Sequence, residues 1–141
     1  MSQNILVLDA NILIRAVLGK KVRELMFQFN TEASFFTPDV CMNDARKYLP
    51  DILKKRSKLF EPALEVLEEF THLIQVVDKN IYQEYEIDAK KRIYNRDIFD
   101  WPVVATALML NSPIWTEDQD FFGTGIPVWT TDRIHIFFES L

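Results

Sequence analysis

The sequence has 141 residues, of which 48% are hydrophobic and 26% are charged, and its net charge is −5. This composition is sufficient for one domain with a hydrophobic core over residues 1–141, and it excludes a disordered chain. The acidic balance excludes a protein that coats nucleic acid through charge alone. A single cysteine, Cys41, excludes an internal disulfide and is typical of the reducing cytoplasm.

Neither a secretory leader nor a membrane segment is expected from the pattern of apolar residues. The opening stretch MSQNILVLDANILI lacks a basic leader, and Asp9 and Asn11 interrupt its apolar run. The apolar run WPVVATALML is much shorter than the roughly 20 residues that a helix needs to span a bilayer. The sequence therefore predicts a cytoplasmic protein without membrane partners.

Short apolar strands alternate with helical stretches along the chain. The first elements are a strand at NILVLD, a helix broken near Gly19, a strand at SFFTP, a helix that Pro50 kinks or breaks, and a short helix at EPALEVLEEF. The later ones are a strand at LIQVVD, helices at NIYQEYEIDAKKRI and DIFDWPVVATALML, strands at PIWT and PVWTT, and a helix at DRIHIFFESL. This alternation predicts an α/β fold in which a parallel sheet of about five short strands lies between two layers of helices.

Acidic residues follow or adjoin several of the predicted strands. Asp9 ends the first strand, and Asp118 follows the fourth. Asp44 lies early in the helix after the second strand, and Asp100 lies in the first turn of the helix before the fourth strand. Because sites in open parallel sheets form outside the carboxyl ends of the strands, we expect these four carboxylates to meet in one cleft.

Four carboxylates in one cleft repel one another unless a cation lies between them. Two unit charges about 4 Å apart cost about 4 kcal/mol at an effective dielectric constant of about 20. A divalent ion such as Mg²⁺ or Mn²⁺ binds carboxylate and water oxygens and offsets this repulsion. Because such an ion can activate water and hold a phosphate oxygen, the acidic cluster predicts hydrolysis of a phosphodiester.

Four stretches of the chain carry a family resemblance. They are VLDANIL at the first strand, TPDVCMNDARKYL after the second, DIFDWPVVATAL on a helix and IWTEDQDF at the fourth strand. In this order they resemble the PIN domain family, and most of all its VapC-type ribonuclease toxins. The resemblance implies a three-layer α/β/α domain, a Mg²⁺ or Mn²⁺ cofactor and cleavage of RNA. It also implies an antitoxin protein as partner, and it is compatible with a homodimer.

Carried over residue by residue, the resemblance implies a metal site with four acids that are also catalytic: Asp9, Asp44, Asp100 and Asp118. Asp44 stands where the family usually has Glu, and the shorter side chain either acts through a water or weakens metal binding. Asn11 and Thr116 match small polar positions that line the site and contact the substrate.

Each of these residues also has a plainer interpretation. Asp9 could cap the helix that follows it, and Asp44 could be a solvated helix residue. Asp97 fits the cap of the helix that contains Asp100, and Asp120 follows Asp118 in the acidic turn. We expect Asp97 and Asp120 to support the metal-binding acids without binding the metal directly. Arg96 is either a phosphate contact or a solvated surface residue.

Basic residues are concentrated in two parts of this acidic chain. Some of six basic residues are expected on the rim of the acidic cleft, where they would hold a phosphate backbone locally: Arg46, Lys47, Lys90, Lys91, Arg92 and Arg96. The alternative is that they form solvated helix faces.

The leading hypothesis is a metal-dependent endoribonuclease in which water attacks the phosphodiester without a covalent enzyme intermediate. The alternative is a PIN-like module that binds RNA or a protein and has little catalytic power, and the shorter Asp44 favours it. A phosphatase of small phosphoesters is a third hypothesis. Phosphatases that use an aspartyl nucleophile usually carry the motif Asp-x-Asp at the end of the first strand. In this sequence Asn11 occupies the position of the second Asp, which counts against this hypothesis.

Overall fold

A five-stranded parallel sheet organises the protein around its first strand, β1 (Ile5–Leu8). The computed structural model describes residues 4–56 and 60–141. The other strands are β2 (Ser34–Pro38), β3 (Ile74–Val77), β4 (Ile114–Trp115) and β5 (Val128–Trp129). Their order across the sheet is β3-β2-β1-β4-β5, and every pairing is parallel. The α/β fold with five short strands is confirmed.

Helices cover both faces of β1, which explains its unbroken apolar sequence. Leu6, Val7 and Leu8 are each 0% exposed. A strand that is solvated on one face alternates apolar and polar residues, whereas a strand buried on both faces does not. Complete burial of one such side chain stabilises the fold by about 1.5–3 kcal/mol. Trp115 of the neighbouring strand is also 0% exposed, and its indole N–H donates a hydrogen bond to the Thr131 hydroxyl.

The described part of the first half of the chain contains the helices α1 (Ala10–Leu18), α2 (Lys21–Phe29), α3 (Asp39–Lys55) and α4 (Phe60–Phe70). The expected break falls at Gly19, whose backbone N–H donates a 2.8 Å hydrogen bond to the Arg15 carbonyl before the chain starts α2. Pro50, in contrast, does not end α3, which continues through it. Because proline has no backbone N–H, α3 lacks one helical hydrogen bond at this residue.

The second half of the chain contains α5 (Lys79–Tyr82), α6 (Glu86–Ile93), α7 (Trp101–Leu110) and α8 (Ile134–Glu139). A short 3-10 helix, Gln83–Tyr85, divides the stretch that was expected to form one helix. The central helix α7 is apolar on all sides, with Pro102–Ala107 buried. Within the described ranges, no helix has both the length and the apolar character required to cross a membrane.

The strand order determines where a site can form. The chain passes from β1 to β2 on one side, whereas β4 lies on the other side of β1. The connection that follows β1 and the connection that follows β4 therefore run in opposite directions away from the boundary between these two strands. This divergence opens a crevice at their carboxyl ends. α7 packs on β1 and β2, while α1 packs on α2, α3 and α4. The residue after β1 and the residue after β4 consequently face each other.

Candidate active site

A cleft of about 200 Å³ lies at the carboxyl ends of β1 and β4. Its lining includes the four acids that the sequence placed together: Asp9, Asp44, Asp100 and Asp118. They come from the start of α1, from α3, from the turn before α7 and from the turn after β4. No basic side chain lines this cleft among the described residues. We refer to this cleft as the acidic cleft.

Asp9 is both a helix cap and a wall of the acidic cleft. It is 6% exposed. One carboxylate oxygen accepts a 3.0 Å hydrogen bond from the Ile12 backbone N–H and thereby caps α1. The other oxygen accepts a hydrogen bond from the Thr116 hydroxyl. The two interpretations of Asp9 are therefore compatible, because capping uses one oxygen and leaves the side chain in the cleft.

Thr116 links the two strand ends that form the acidic cleft. Its hydroxyl donates to Asp9 and accepts a 2.9 Å hydrogen bond from the Asp118 backbone N–H. A carboxylate oxygen of Asp118 in turn accepts from the Asp120 backbone N–H at 2.9 Å and caps the 3-10 helix Gln119–Phe121. Thr116 is 0% exposed, so it does not reach a substrate as the sequence analysis expected. It holds Asp9 and the turn that carries Asp118.

Asp44 lies on the opposite, more open side of the acidic cleft. It is exposed on α3, and its carboxylate makes no hydrogen bond to any other described residue. Cys41 and Tyr48 lie one helical turn to either side of it and line the same cleft. No hydrogen bond from a described residue therefore holds the Asp44 side chain in one position.

Asp100 also belongs to a second, more compact acidic group. Asp97, Asp100 and Asp120 each offer one carboxylate oxygen, and these oxygens lie within 4.8 Å of one another. No other set of three candidate ligands in the described part of the chain is this close, so the four acids of the cleft are spread more widely. Asp97 caps the 3-10 helix Ile98–Asp100, as expected, by accepting a 3.0 Å hydrogen bond from the Phe99 N–H.

The pKa of two acids in this region is raised. Burial, opposed by the hydrogen bonds from Thr116 and Ile12, raises the pKa of Asp9 from 3.8 to about 6. Burial, together with the charges of neighbouring acids, raises the pKa of Asp100 from 3.8 to about 7. A cation beside these carboxylates would favour their ionised forms and lower both values. The oxygen-only donor set and this excess of negative charge fit a hard divalent ion.

Cys41 lines the acidic cleft but is not suited to nucleophilic catalysis. It is 6% exposed, and burial together with the negative charge of Asp9 raises the pKa of its thiol well above the ordinary value. Only the thiolate is a strong nucleophile, and these surroundings disfavour it. The acids are therefore the chemically competent groups in this cleft.

Three of the six basic residues that were expected on the rim of the acidic cleft pair with acids outside its lining. Three ion pairs are formed: Arg46 with Glu68 at 3.1 Å, Lys90 with Glu86 at 2.6 Å and Arg92 with Asp88 at 3.1 Å. None of the six expected rim residues lines the cleft. Arg96 is exposed and also lies outside the lining, so its contact with a phosphate stays a prediction.

A wider groove of about 710 Å³ adjoins the acidic cleft, and Asn11 and Ile14 line both. We call it the basic groove, because four basic side chains line it: Arg15, Lys20, Lys21 and Arg56. Arg15, Lys20 and Lys21 were not among the basic residues expected near the site. Arg15 lies four residues after Asn11 and therefore on the same face of α1, which is the sequence signal that could have identified it.

Comparison with known proteins agrees with this architecture. The sequence model of the PIN domain matches residues 7–139. VapBC2 from Rickettsia felis, bound to a DNA fragment from the promoter, has 14% identity and a TM-score of 0.67 over 89% of this chain and 98% of that chain. PAE2754 from Pyrobaculum aerophilum has 13% identity and a TM-score of 0.69 over 99% of this chain and 91% of that one.

A third similar structure is a toxin–antitoxin complex from Klebsiella pneumoniae, with 20% identity and a TM-score of 0.55 over 89% of this chain and 96% of that chain. At these identities the structures show a common fold. No curated protein sequence matches the chain. The PIN domain match, however, extends over nearly the whole sequence. The chain therefore belongs to the PIN domain family.

Proposed function

We propose that this protein is a divalent-metal-dependent endoribonuclease, which hydrolyses phosphodiester bonds in RNA. The observation that carries the proposal is the convergence of Asp9, Asp44, Asp100 and Asp118 on one cleft. Family membership supports it, because PIN domains are in general metal-dependent nucleases. Among common cofactors, only a hard cation suits a site whose ionisable donors are all carboxylates.

In this proposal, Asp9, Asp100 and Asp118 hold Mg²⁺ or Mn²⁺, and Asp44 acts through a water. The bound ion supplies a Lewis acid that lowers the pKa of water and stabilises charge on the phosphate. Asp97 and Asp120 adjoin Asp100 and add to the negative charge that attracts the ion. The cluster without the ion would repel the phosphate that is to be cleaved, so the same cation would hold that phosphate in the cleft and supply the chemistry.

The protein itself contributes a fixed arrangement of ligands. The Thr116 hydroxyl and the Ile12 N–H each hold one oxygen of Asp9. Asp118 is held by its own turn. Groups that are already oriented cost little reorganisation when charge develops on the substrate. Asn11, exposed at the border of the cleft, is placed to donate an amide hydrogen bond to the substrate.

We further propose that the activity is that of the toxin in a toxin–antitoxin pair. The support is the similarity of fold to VapBC2 and to the Klebsiella pneumoniae complex, each matched over 89% of this chain. The partner would then be an antitoxin protein, the substrate would be RNA in the cytoplasm, and a homodimer would be one candidate for the assembly.

A PIN-like binding module is the second candidate, and one observation favours it. The oxygens of the four acids do not approach one another as closely as those of Asp97, Asp100 and Asp120 do. Asp44 is also exposed, without a hydrogen bond to any described residue. A site this open on one side could bind RNA without holding a metal in a productive geometry.

Metal titration combined with RNA cleavage separates the candidates. A mixed-sequence RNA should be cut when Mn²⁺ or Mg²⁺ is added and remain intact in EDTA. If the RNA is bound in EDTA but remains uncut with saturating Mn²⁺, the protein is a binding module. A chromogenic phosphate ester tests the third hypothesis, and its turnover without RNA cleavage would indicate a phosphatase.

A further inference from the structure

We propose that the basic groove binds the phosphate backbone of single-stranded RNA and guides the substrate to the acidic cleft. The inference rests on the proposed function, because it takes RNA as the ligand. It assigns a binding role to Arg15, Lys20 and Lys21, and Arg56 also lines the groove.

The first support is continuity between the two cavities. Asn11 and Ile14 of α1 line both of them. Asn11 and Arg15 are one turn apart on the same face of α1, or about 6 Å along the helix axis at roughly 1.5 Å per residue. A nucleotide chain that leaves the acidic cleft past Asn11 therefore meets the Arg15 guanidinium next.

The second support is the distribution of charge. The acidic cleft has no basic lining residue in the described chain, whereas the basic groove has four basic residues and one acidic residue, Glu117. The Glu117 carboxylate accepts a 2.7 Å hydrogen bond from the Thr131 N–H. Among the described residues, Arg15, Lys20 and Lys21 form no ion pair, unlike Arg46, Lys90 and Arg92. Their charges therefore remain available to phosphates.

The third support is the apolar part of the groove. Leu18, Val22 and Ile52 line it together with the basic side chains. Sites for single-stranded nucleic acid combine a positive track for the backbone with side chains against which bases pack, most often aromatic ones; in this groove the apolar side chains are aliphatic. An acidic protein segment also suits such a groove, but the continuity with the phosphodiester-cleaving cleft favours RNA.

The test measures RNA binding without cleavage. The parent protein is the Asp9→Asn variant in EDTA, and the ligand is a labelled mixed-sequence RNA of about 12 nucleotides. The double variant Lys20→Ala/Lys21→Ala removes two charges from the groove. The matched control, Lys90→Ala/Lys91→Ala, removes two charges from α6. Fluorescence anisotropy is recorded between about 50 and 200 mM salt, and thermal unfolding checks that each variant is folded.

The groove variant should bind more weakly and should lower the slope of log K against log salt by about 1.4, since each phosphate contact to a single strand contributes about 0.7. The control should keep the slope and affinity of the parent. Equal losses in both variants, or unchanged binding in the groove variant, would overturn the proposal. Groove-dependent binding of a glutamate-rich peptide without groove-dependent binding of RNA would also overturn it, in favour of an acidic protein partner.

The outcome is separable from that for the proposed function. If RNA binding depends on the groove but the unmutated protein does not cut RNA with Mn²⁺, the groove assignment stands and the nuclease proposal fails. If RNA is cut but the Lys20→Ala/Lys21→Ala substitution leaves RNA binding unchanged, the nuclease proposal stands and the groove assignment fails.

Discussion

Asp9 and Asp44 line the same cleft but are held in different ways. Asp9 is 6% exposed, and both of its carboxylate oxygens accept hydrogen bonds. Asp44 is exposed on α3 and makes no hydrogen bond to a described residue. The β1 side of the cleft is thus arranged before any ligand binds, whereas the α3 side can adapt to it. Substitutions on the β1 side should consequently have the larger effects.

The largest effect is expected for Asp9→Asn. The amide oxygen can still accept the hydrogen bond from the Ile12 N–H, so the cap of α1 and the fold should persist. The charge beside the metal is lost, and no neighbouring acid occupies the strand end. RNA cleavage with Mn²⁺ should fall to the level of the EDTA control, while circular dichroism should be unchanged.

Asp78→Asn is the matched control for this substitution. Asp78 follows β3 at the same edge of the sheet and accepts a 2.9 Å hydrogen bond from the Asn80 N–H, which caps α5. It lies outside the acidic cleft, so its variant should keep full cleavage. Equal activity of the unmutated protein and Asp9→Asn would instead mean that the four acids are not the catalyst.

The next largest effect is expected for Thr116→Val, which preserves the shape of a buried side chain but removes its hydroxyl. Asp9 loses a donor, and the Asp118 N–H loses its acceptor. Removal of groups that orient metal ligands typically costs about 10–100-fold in metal affinity or activity, and we expect this range for Mn²⁺ affinity measured by calorimetry.

Two further variants distinguish positioning from packing at Thr116. Thr116→Ser retains the hydroxyl and should restore most of the Mn²⁺ affinity. Thr106→Val removes another fully buried hydroxyl, which donates a 2.8 Å hydrogen bond to the Pro102 carbonyl within α7, and should leave Mn²⁺ affinity unchanged. Similar losses in Thr116→Val and Thr106→Val would show that Thr116 only contributes to packing.

The fold and the acids were accessible from the sequence because both depend on local patterns. Apolar runs such as ILVL identify strands buried on both faces, and their alternation with helices implies parallel pairing. Once the sheet is parallel, a strand-ending acid such as Asp9 must lie at its carboxyl edge. The convergence of Asp9 and Asp118 then follows from topology, without knowledge of side-chain contacts.

The remainder depends on tertiary geometry that a linear pattern does not contain. Complete burial of Thr116 results from the approach of two turns, so it was mistaken for a substrate contact. The positive rim stays a prediction, because runs of basic residues reveal neither ion pairs such as Arg46 with Glu68 nor which side chains border the cleft. The basic groove combines residues from α1, α2 and α3 and becomes visible only when these helices are packed.

A smaller effect is expected in the pH dependence of metal-free stability. The pKa of Asp9 is about 6 in the fold against an ordinary 3.8, so between these values the folded chain retains a proton that the unfolded chain has released. Stability therefore decreases as pH rises through this window, by about 3 kcal/mol at about 1.36 kcal/mol per pKa unit. The raised pKa of Asp100, about 7, extends the decrease towards neutral pH.

Thermal unfolding in EDTA at about pH 4 and about pH 8 measures this effect. The unmutated protein should lose more stability over the interval than Asp9→Asn, which has no carboxyl to titrate at that position. Added Mn²⁺ should raise Tm more at the higher pH, because protons compete with the metal for the same oxygens. Stability that rises with pH in EDTA would contradict the raised pKa of both acids.

The smallest effect is expected at Asp44, on the adaptable side of the cleft. Direct Mg²⁺ ligation needs oxygens at about 2.0–2.1 Å, and Asp is one methylene shorter than the Glu usual in the family. If Asp44 acts through a water, Asp44→Glu should keep RNA cleavage or raise it a few-fold, and Asp44→Asn should lower it by less than Asp9→Asn does. The measurement is the initial rate of cleavage as a function of Mn²⁺ concentration, with the change expected in the half-saturating concentration. Loss of cleavage in Asp44→Glu would show instead that the shorter side chain is required, and that the α3 side of the cleft is as tightly specified as the β1 side.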